Sequence, residues 1–559
     1  MSRRLWIPLV MGLVCLSGLV SQAEEPSRRW LYLQTNLQVE DNLVSAELLA
    51  RRAKKAGYNA VVLADYKLNI LDRVPQHYFR HAERFKATCQ ELGLEIIPTV
   101  CPIGYSDGLL AHNPNLVEGI PVRDAEFVVR DGFALLASKQ KNLLPGGDFE
   151  EFKNHAAMGW GHQDFPDDAS REDRDVKHSG VASLRFENLS GRNGRVSRRI
   201  SVKPWQLLHA SVWLKTDQFS GANNLRMFAL GSDGRVLSHS NLGAKSTQDW
   251  TQHHVMLNTL ENDQVTFYVG SWGGTDGRFW MDEVRLEEAA FVNLVRREAC
   301  PLVVRTSDGR ELKEGVDFDA LADHQLGNVP YPGSFNVFHE PPELRLLPAS
   351  GLNNGDRLTI GYYHAVTIYN NQVTCCLGDP EVFQVLERQI QRVEKLFQPK
   401  TYFLSHDEIR VADWCPACHR EGQSAGELLA ENMRRSVGVI RGINSTARLC
   451  VWSDMFDPHH NARNQFYLVQ GDLAGSWEGL PRDMIVVNWN HGQADKSLPF
   501  FGERGHDQVL AGYYDSDPTA IRGWLEAGTR TRGVNGAMYT TWTDNFDHIE
   551  AFAKAAWGQ

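Results

Sequence analysis

Three ionisable residues in a row, His406, Asp407 and Glu408, close the stretch TYFLSHDEIR at 401–410. The apolar run at 402–404 before them reads as a short buried strand. In a barrel of parallel strands, residues at the C-terminal strand ends are the ones a substrate meets. Two neighbouring carboxylates there suit cleavage of a glycosidic bond, one holding a proton for the leaving oxygen while the other stays charged. The same residues would also serve as an ion-paired strand end. Side chains of adjacent residues on a straight strand point to opposite faces, so both acids reach one pocket only where the chain curls. Adjacent acids are also badly spaced to flank one bond as acid and nucleophile, which favours participation by a group of the substrate itself. If the nucleophile is a carboxylate, Asp454 and Asp544 are the candidates, and a separation of about 5 Å from Glu408 would indicate retention. His406 reads as a hydrogen-bonding support for the pair.

A second constellation lies at the other expected strand ends. These carry Asn36, Asp65, Trp452 with Asp454, Trp489 with Asn490, Tyr513 with Asp515, and Trp542 with Asp544. Aromatic faces stack on the apolar faces of sugars, while short carboxylates and amides take the hydroxyls. A single Trp at such a place is commonly packing; four successive aromatic ends, each beside Asp or Asn, form a pattern. A third motif, Cys415-Pro-Ala-Cys418-His419, has the spacing of a local disulfide, a metal clip or a c-type haem attachment.

The elements that must position these residues follow a βα rhythm. Strands at 31–36, 60–65 and 95–101 alternate with helices at 45–57 and 78–92. The rhythm stops near 125 and resumes at Asp379, a good N-cap ahead of Pro380. An apolar stripe of Val382, Leu386, Ile390, Val393 and Phe397 makes the next helix. Ser424-Ala-Gly-Glu427 is a capping box that opens a helix to about 440. Further strands are expected at 449–454, 484–489, 509–515 and 536–542, with helices near 462–473, 517–527 and 546–557. Three strands before the interruption and five after it make the eight of a (β/α)₈ TIM barrel, an α/β fold. Between them, short alternating runs with Gly and Asn turns predict all-β domains of jelly-roll or β-sandwich type, inserted after strand three. The expected division is 1–23, 24–124 as the first part of the barrel, 125–290 as a sandwich, 291–365 as a second small all-β insert, and 366–559 as the rest of the barrel.

The chain has 559 residues, 42% hydrophobic and 23% charged, with 15 Trp and a net charge of −11. That charge argues against a nucleic-acid partner. Residues 1–23 have the basic start, apolar run and small-residue end of a secretory signal peptide, cleaved near Ala23. No later run is long enough to span a bilayer. The expectation is a secreted or periplasmic protein with disulfide-permissive surroundings for its cysteines.

The C-terminal half resembles family 20 glycoside hydrolases, the β-N-acetylhexosaminidases. The resemblance covers roughly 375–557 and rests on the helix after Asp379-Pro-Glu-Val382, the Asp407-Glu408 pair, Val451-Trp-Ser-Asp-Met455, Tyr513-x-Asp515 and Trp542. It implies Glu408 as general acid/base, Asp407 as the residue orienting a 2-acetamido group, and Tyr513 as hydrogen-bond donor to that group's carbonyl. Asp515 would bind hydroxyls, and Trp452, Trp489 and Trp542 would line the pocket. Ser405-His406 stand where the family usually has Gly-Gly, so another family with an Asp-Glu pair, such as family 123, is a second resemblance. The ends of the sandwich resemble carbohydrate-binding jelly-roll modules, which implies a structural calcium at Glu150 and Asp282. No cofactor is implied for catalysis. The resulting expectation is a glycoside hydrolase acting on an oligosaccharide or polysaccharide, removing β-linked N-acetylhexosamine by a retaining, substrate-assisted route. The alternatives are a two-carboxylate glycosidase on a neutral or sulfated polysaccharide and a non-catalytic glycan-binding protein.

Overall fold

The computed structural model describes residues 27–138, 141–238, 240–369 and 371–558. The expected signal peptide at 1–23 lies outside them. Eight parallel strands close into a barrel: Arg28–Gln34, Ala60–Ala64, Glu95–Ile103, Thr401–His406, Arg448–Trp452, Ile485–Asn488, Gln508–Leu510 and Val534–Tyr539. The first strand pairs with both the second and the eighth, which closes the ring. The strands carry a two-residue alternation. Trp30, Tyr32, Val62, Ile97, Phe403, Trp452 and Val487 fill the barrel interior. Leu31, Leu33, Val61, Tyr402, Leu404 and Val451 face the surrounding helices.

Helices Glu40–Lys55, Gln76–Leu92, Pro380–Phe397, Ala425–Ile443, Ala494–Glu503, Ile521–Thr529 and Ile549–Trp557 follow seven of the strands. Asp379 caps its helix by accepting from the Glu381 N–H at 2.9 Å. The Ser424–Glu427 capping box is formed in both directions. The helix expected near 462–473 is absent. Gln465 and Tyr467 have φ of 51° there, and Leu468–Val469 pair with Val411–Ala412 instead. The helical turns of the connection after the fifth strand are 3₁₀, at Asp454–Phe456 and Ser476–Gly479. An apolar spacing read as helical thus belongs to a loop held by tertiary pairing, which overrides a local propensity worth tenths of a kcal/mol per residue.

The interruption falls after the third strand and before its helix. It contains two five-stranded antiparallel sheets between His162 and Glu288 that share one core, and a further sheet. That further sheet corrects the expected boundary at 125. Strands Ile120–Arg130 and Phe133–Leu136, which straddle or lie beyond that boundary, pair with Arg357–His364 and Leu344–Arg345 and not with the sandwich. Alternating runs mark this stretch as all-β, but neither these two strands nor partners more than 200 residues away could be read from them. The sandwich core continues into the barrel loops through Val411, Trp414 and Leu468. Among the described residues no helix is long and apolar enough to cross a membrane.

Candidate active site

At the C-terminal end of the barrel lies a cavity of about 660 Å³ lined by Tyr32, Gln34, Tyr105, Ser405, Asp407, Glu408, Trp452, Trp489, Tyr513 and Trp542. Its volume is that of a small-molecule cleft. Trp452, 2% exposed, is the floor. Tyr32 packs on Trp452 and Trp542 at ring distances of 5.5 and 5.9 Å, and Tyr513 on Trp489 and Trp542 at 6.1 and 6.0 Å. Tyr513 and Trp542, at 57% and 39% exposed, form the rim.

The alternation of the fourth strand explains how the acids enter this cavity. Phe403, Ser405 and Asp407 fall on the inner side, Tyr402, Leu404 and His406 on the outer. Continued extension would turn Glu408 outward. Glu408 instead has φ of 45°, and this left-handed turn brings its carboxylate back beside Asp407 in the same cavity. Such a backbone costs on the order of 1–3 kcal/mol and persists only where neighbours fix it. Here they do. The Glu408 N–H donates to Asp454 Oδ2 at 2.9 Å, and the Asp407 N–H to the Ile103 carbonyl at 3.1 Å. Gln372 Nε2 donates to the carbonyls of Glu408 and Gly104 at 3.0 and 2.9 Å. Gly104 has φ of 101°, and a Cβ there would stand 1.8 Å from the Asp407 carbonyl oxygen.

Glu408 is clamped by two residues. Arg410 pairs with its Oε1 at 2.6 Å, and the Tyr105 hydroxyl donates to its Oε2 at 2.5 Å. Arg410 is itself buried against the rings of Tyr369 and Tyr467 and bonded to Gln372 Oε1. The Asp407 carboxyl is pushed well above the usual carboxylate range, by burial first and then by the neighbouring Asp454 and Glu408 charges. Burial likewise raises Asp454 to about 6, opposed by the Glu408 N–H. The two therefore share a proton in preference to both ionising. Burial and the same three carboxylates raise the Tyr513 hydroxyl, which stays a donor.

The structure brings Asp407, Glu408, Tyr513, Trp452, Trp489 and Trp542 into one cavity. Five other expected site residues stand elsewhere. His406 is fully buried, points to the helix layer and donates from Nε2 to Asn432 Oδ1 at 3.0 Å, so its role is packing. Burial lowers it to about 4. Asp454 lies beneath the dyad and accepts from Glu408 N–H and Asn461 Nδ2, a positioning arrangement. Asp515 accepts from Thr541, Thr543 and the Trp542 N–H, pinning the loop that carries Trp542. Asp544 is exposed outside the cavity lining, and Asn36 accepts from the Gln38 N–H in a turn. In both cases the strand ended earlier than the polar residue, at Tyr539 and Gln34. Reading missed Tyr32, Gln34, Tyr105, Ser405, Arg410 and Gln372. The inward alternation of 30–34 and 403–407 could have found Tyr32, Gln34 and Ser405; nothing local marks Tyr105 or Gln372.

In the sandwich, Glu150 accepts from the Val181 N–H at 2.8 Å, and Asp282 from the His178 and Ser179 N–H groups at 2.8 and 3.1 Å. Both carboxylates thus hold the loop at 178–181. Among the described residues they belong to no group of three or more metal-type ligands.

No protein-family model matches the chain, and no curated protein matches it. Among solved structures, a rhamnosidase from Novosphingobium sp. PP1Y is similar at 10% identity, over 92% of this chain and 55% of its own, with a TM-score of 0.31. A β-N-acetylhexosaminidase from Bacteroides fragilis NCTC 9343 is similar at 18% identity over 34% of this chain and 42% of its own, TM-score 0.24. A family 16 carbohydrate-binding module is similar at 15% identity over 26% of this chain and 99% of the module, TM-score 0.19. The chain spans about half the length of the two enzymes.

Proposed function

We propose that the protein is an exported glycoside hydrolase that removes β-linked N-acetylhexosamine from glycans with retention of configuration, the substrate's acetamido group acting as nucleophile. One observation carries this reading. Among the described residues lining the aromatic cavity, the carboxylates are Asp407 and Glu408, adjacent in the chain. A two-carboxylate glycosidase needs its acids on opposite sides of the bond, about 5 Å or more apart. The two candidates for an opposing carboxylate, Asp454 and Asp544, do not line the cavity. The nucleophile is then supplied by the sugar.

In this mechanism Trp452, Tyr32 and Trp542 stack on the sugar ring and exclude water. Asp407 accepts the acetamido N–H and turns its carbonyl oxygen toward the anomeric carbon. The proton that Asp407 shares with Asp454 passes to Asp454 as Asp407 takes up this bond. Tyr513 donates to the acetamido carbonyl. As that oxygen bonds to the anomeric carbon and the C–O bond to the leaving sugar breaks, Glu408 Oε2, protonated in the substrate complex with the Tyr105 hydroxyl turned to accept from it, gives its proton to the departing oxygen. It then takes a proton from the water that opens the cyclic intermediate. Tyr105 and Arg410 hold Glu408 at the end of the cavity where the leaving group departs.

A thiazoline analogue of N-acetylhexosamine, which imitates the cyclic intermediate, tests this directly. Competitive inhibition at concentrations well below those of the parent sugar is expected. Turnover of a glycoside undiminished by a saturating excess of the thiazoline would exclude substrate participation.

A further inference from the structure

The Cys415-Pro-Ala-Cys418-His419 segment has no part in the cavity chemistry. Its geometry does not suit haem: both thiols are fully buried in packed interior, while His419 is half exposed and pairs with Asp413 at 3.4 Å. Nor does a disulfide join it, since among the described residues every cysteine is a free thiol. The two sulfurs converge instead on a third cysteine and a carboxylate from distant parts of the chain. Cys376 Sγ stands 3.1 Å from Cys418 Sγ and 3.5 Å from Cys415 Sγ. Glu118 Oε2 stands 3.2 Å from Cys418 Sγ and 3.7 Å from Cys415 Sγ. All four donor atoms lie within 4.8 Å of one another.

Glu118 supplies a second, independent observation. It is 1% exposed, and its Oε1 accepts the N–H groups of Trp414 and Cys415 at 2.8 and 2.9 Å. Those two bonds orient the carboxylate so that Oε2 faces three sulfurs. The Cys415 and Cys418 thiols give this buried oxygen only weak S–H donors, and a cation between the carboxylate and the sulfurs would satisfy it better. Arg297 donates to Cys415 Sγ at 3.1 Å from the flank, but it also bonds the Asn115 and Val117 carbonyls and pairs with Asp379. For metal–sulfur and metal–oxygen bonds of about 2.3 and 2.1 Å, the edges of a tetrahedral site are about 3.6–3.8 Å. The edges above approach these values. Soft thiolates in that arrangement select zinc over magnesium or calcium.

We propose that Cys376, Cys415, Cys418 and Glu118 are the four ligands of one structural zinc ion. On binding, the three thiols lose their protons to solvent and the carboxylate binds as the anion. The ion's two positive charges, with Arg297 beside it, offset most of the ligand charge. Cys300 is next to Cys415 but is not among the donors that converge within 4.8 Å of one another, and it stays outside the ligand set. The site ties three places together: the chain as it leaves the barrel for the β domains (Glu118), the chain as it returns (Cys376), and the loop following the dyad strand (Cys415 and Cys418). Local closure of an interruption this long is where a metal clip contributes most.

The test uses the purified full-length protein, and its readouts are independent of any activity. Elemental analysis is expected to give about one zinc per chain, with thiols that become reactive only after chelation. Stripping the metal is expected to lower Tm by several degrees, and adding Zn²⁺ alone to restore it. Cobalt(II) in its place should give the thiolate charge-transfer band and intense visible bands of a tetrahedral ion. Glu118→Gln and Cys418→Ser should lose the metal and Cys300→Ser should keep it. If the serine variant does not fold, the chelation and cobalt experiments on the wild-type chain still decide. A Cys376–Cys418 disulfide in peptide mass spectra, or a metal-free protein that takes up neither Zn²⁺ nor Co²⁺, would overturn the proposal. Retention of metal by Glu118→Gln with loss in Cys300→Ser would overturn the ligand set.

Discussion

Asp454 shows how a residue outside the cavity governs one inside it. Its carboxyl has an ordinary value of 3.8 and stands at about 6 in the fold, chiefly through burial. Below pH 4 it is protonated in folded and unfolded chains alike. As the pH rises through this interval the unfolded chain ionises first, so folding stability is lost, and the loss is complete above pH 6. Asp454→Asn, which cannot titrate, should therefore gain stability relative to wild type as the pH is raised from 4 to 8. Denaturant titrations of both proteins at the two pH values measure this; a difference independent of pH would contradict the shared-proton arrangement. The aromatic residues separate by burial. Trp452→Ala empties the floor and should cost about 3–5 kcal/mol, whereas Trp542→Ala at the exposed rim should leave Tm near wild type and weaken sugar binding. Equal losses of Tm would show that the rim is structural. Identity of these aromatics was legible because each stands beside a polar residue at a strand end. Which polar partner faces the cavity was not, because Asp515 and Asp544 lie on loops whose course depends on distant contacts.

At the scale of elements, the fourth strand and the turn after it decide everything about the dyad. Strand alternation fixes Asp407 inward, and a left-handed Glu408 turns the second acid to the same side. Sequence reading required a curl here and could not say what would hold it. The holders are Gln372, on the segment returning from the insertion, and Gly104, after the third strand. Gly104→Ala would drive a Cβ into the Asp407 carbonyl and force the turn to move. We expect such a variant to keep its far-ultraviolet circular dichroism, lose about 2 kcal/mol or more of stability and lose most of its kcat. A fully active Gly104→Ala protein would mean that the turn is not under this constraint. Caps and helices around the barrel, such as Asp379 and Ser424–Glu427, were readable because capping is local chemistry. The missing helix near 462–473 was misread because the pairing of Leu468–Val469 with Val411–Ala412 is not local.

For the whole molecule, the count of eight strands followed from hydrophobic patterning, and the point of interruption from where that patterning stopped. The relation between the inserted sheets and the barrel was not readable, since it rests on a core shared by Val411, Trp414 and Leu468 with the sandwich. That continuity, reinforced by Trp205 against Trp414 at 6.0 Å, predicts one cooperative thermal transition by calorimetry. Two separated transitions would show the sandwich to be an independent unit. The closed ring and the insertion serve one end, an aromatic cup with two adjacent acids at its base. Its chemistry is tested most directly by comparing wild type and Glu408→Gln on paired chromogenic β-glycosides with and without the 2-acetamido group. Wild type is expected to cleave the acetamido sugar and barely touch its partner. Glu408→Gln is expected to retain binding but lose turnover by several orders of magnitude. Equal wild-type rates on both sugars, or unimpaired turnover by Glu408→Gln, would contradict that chemistry.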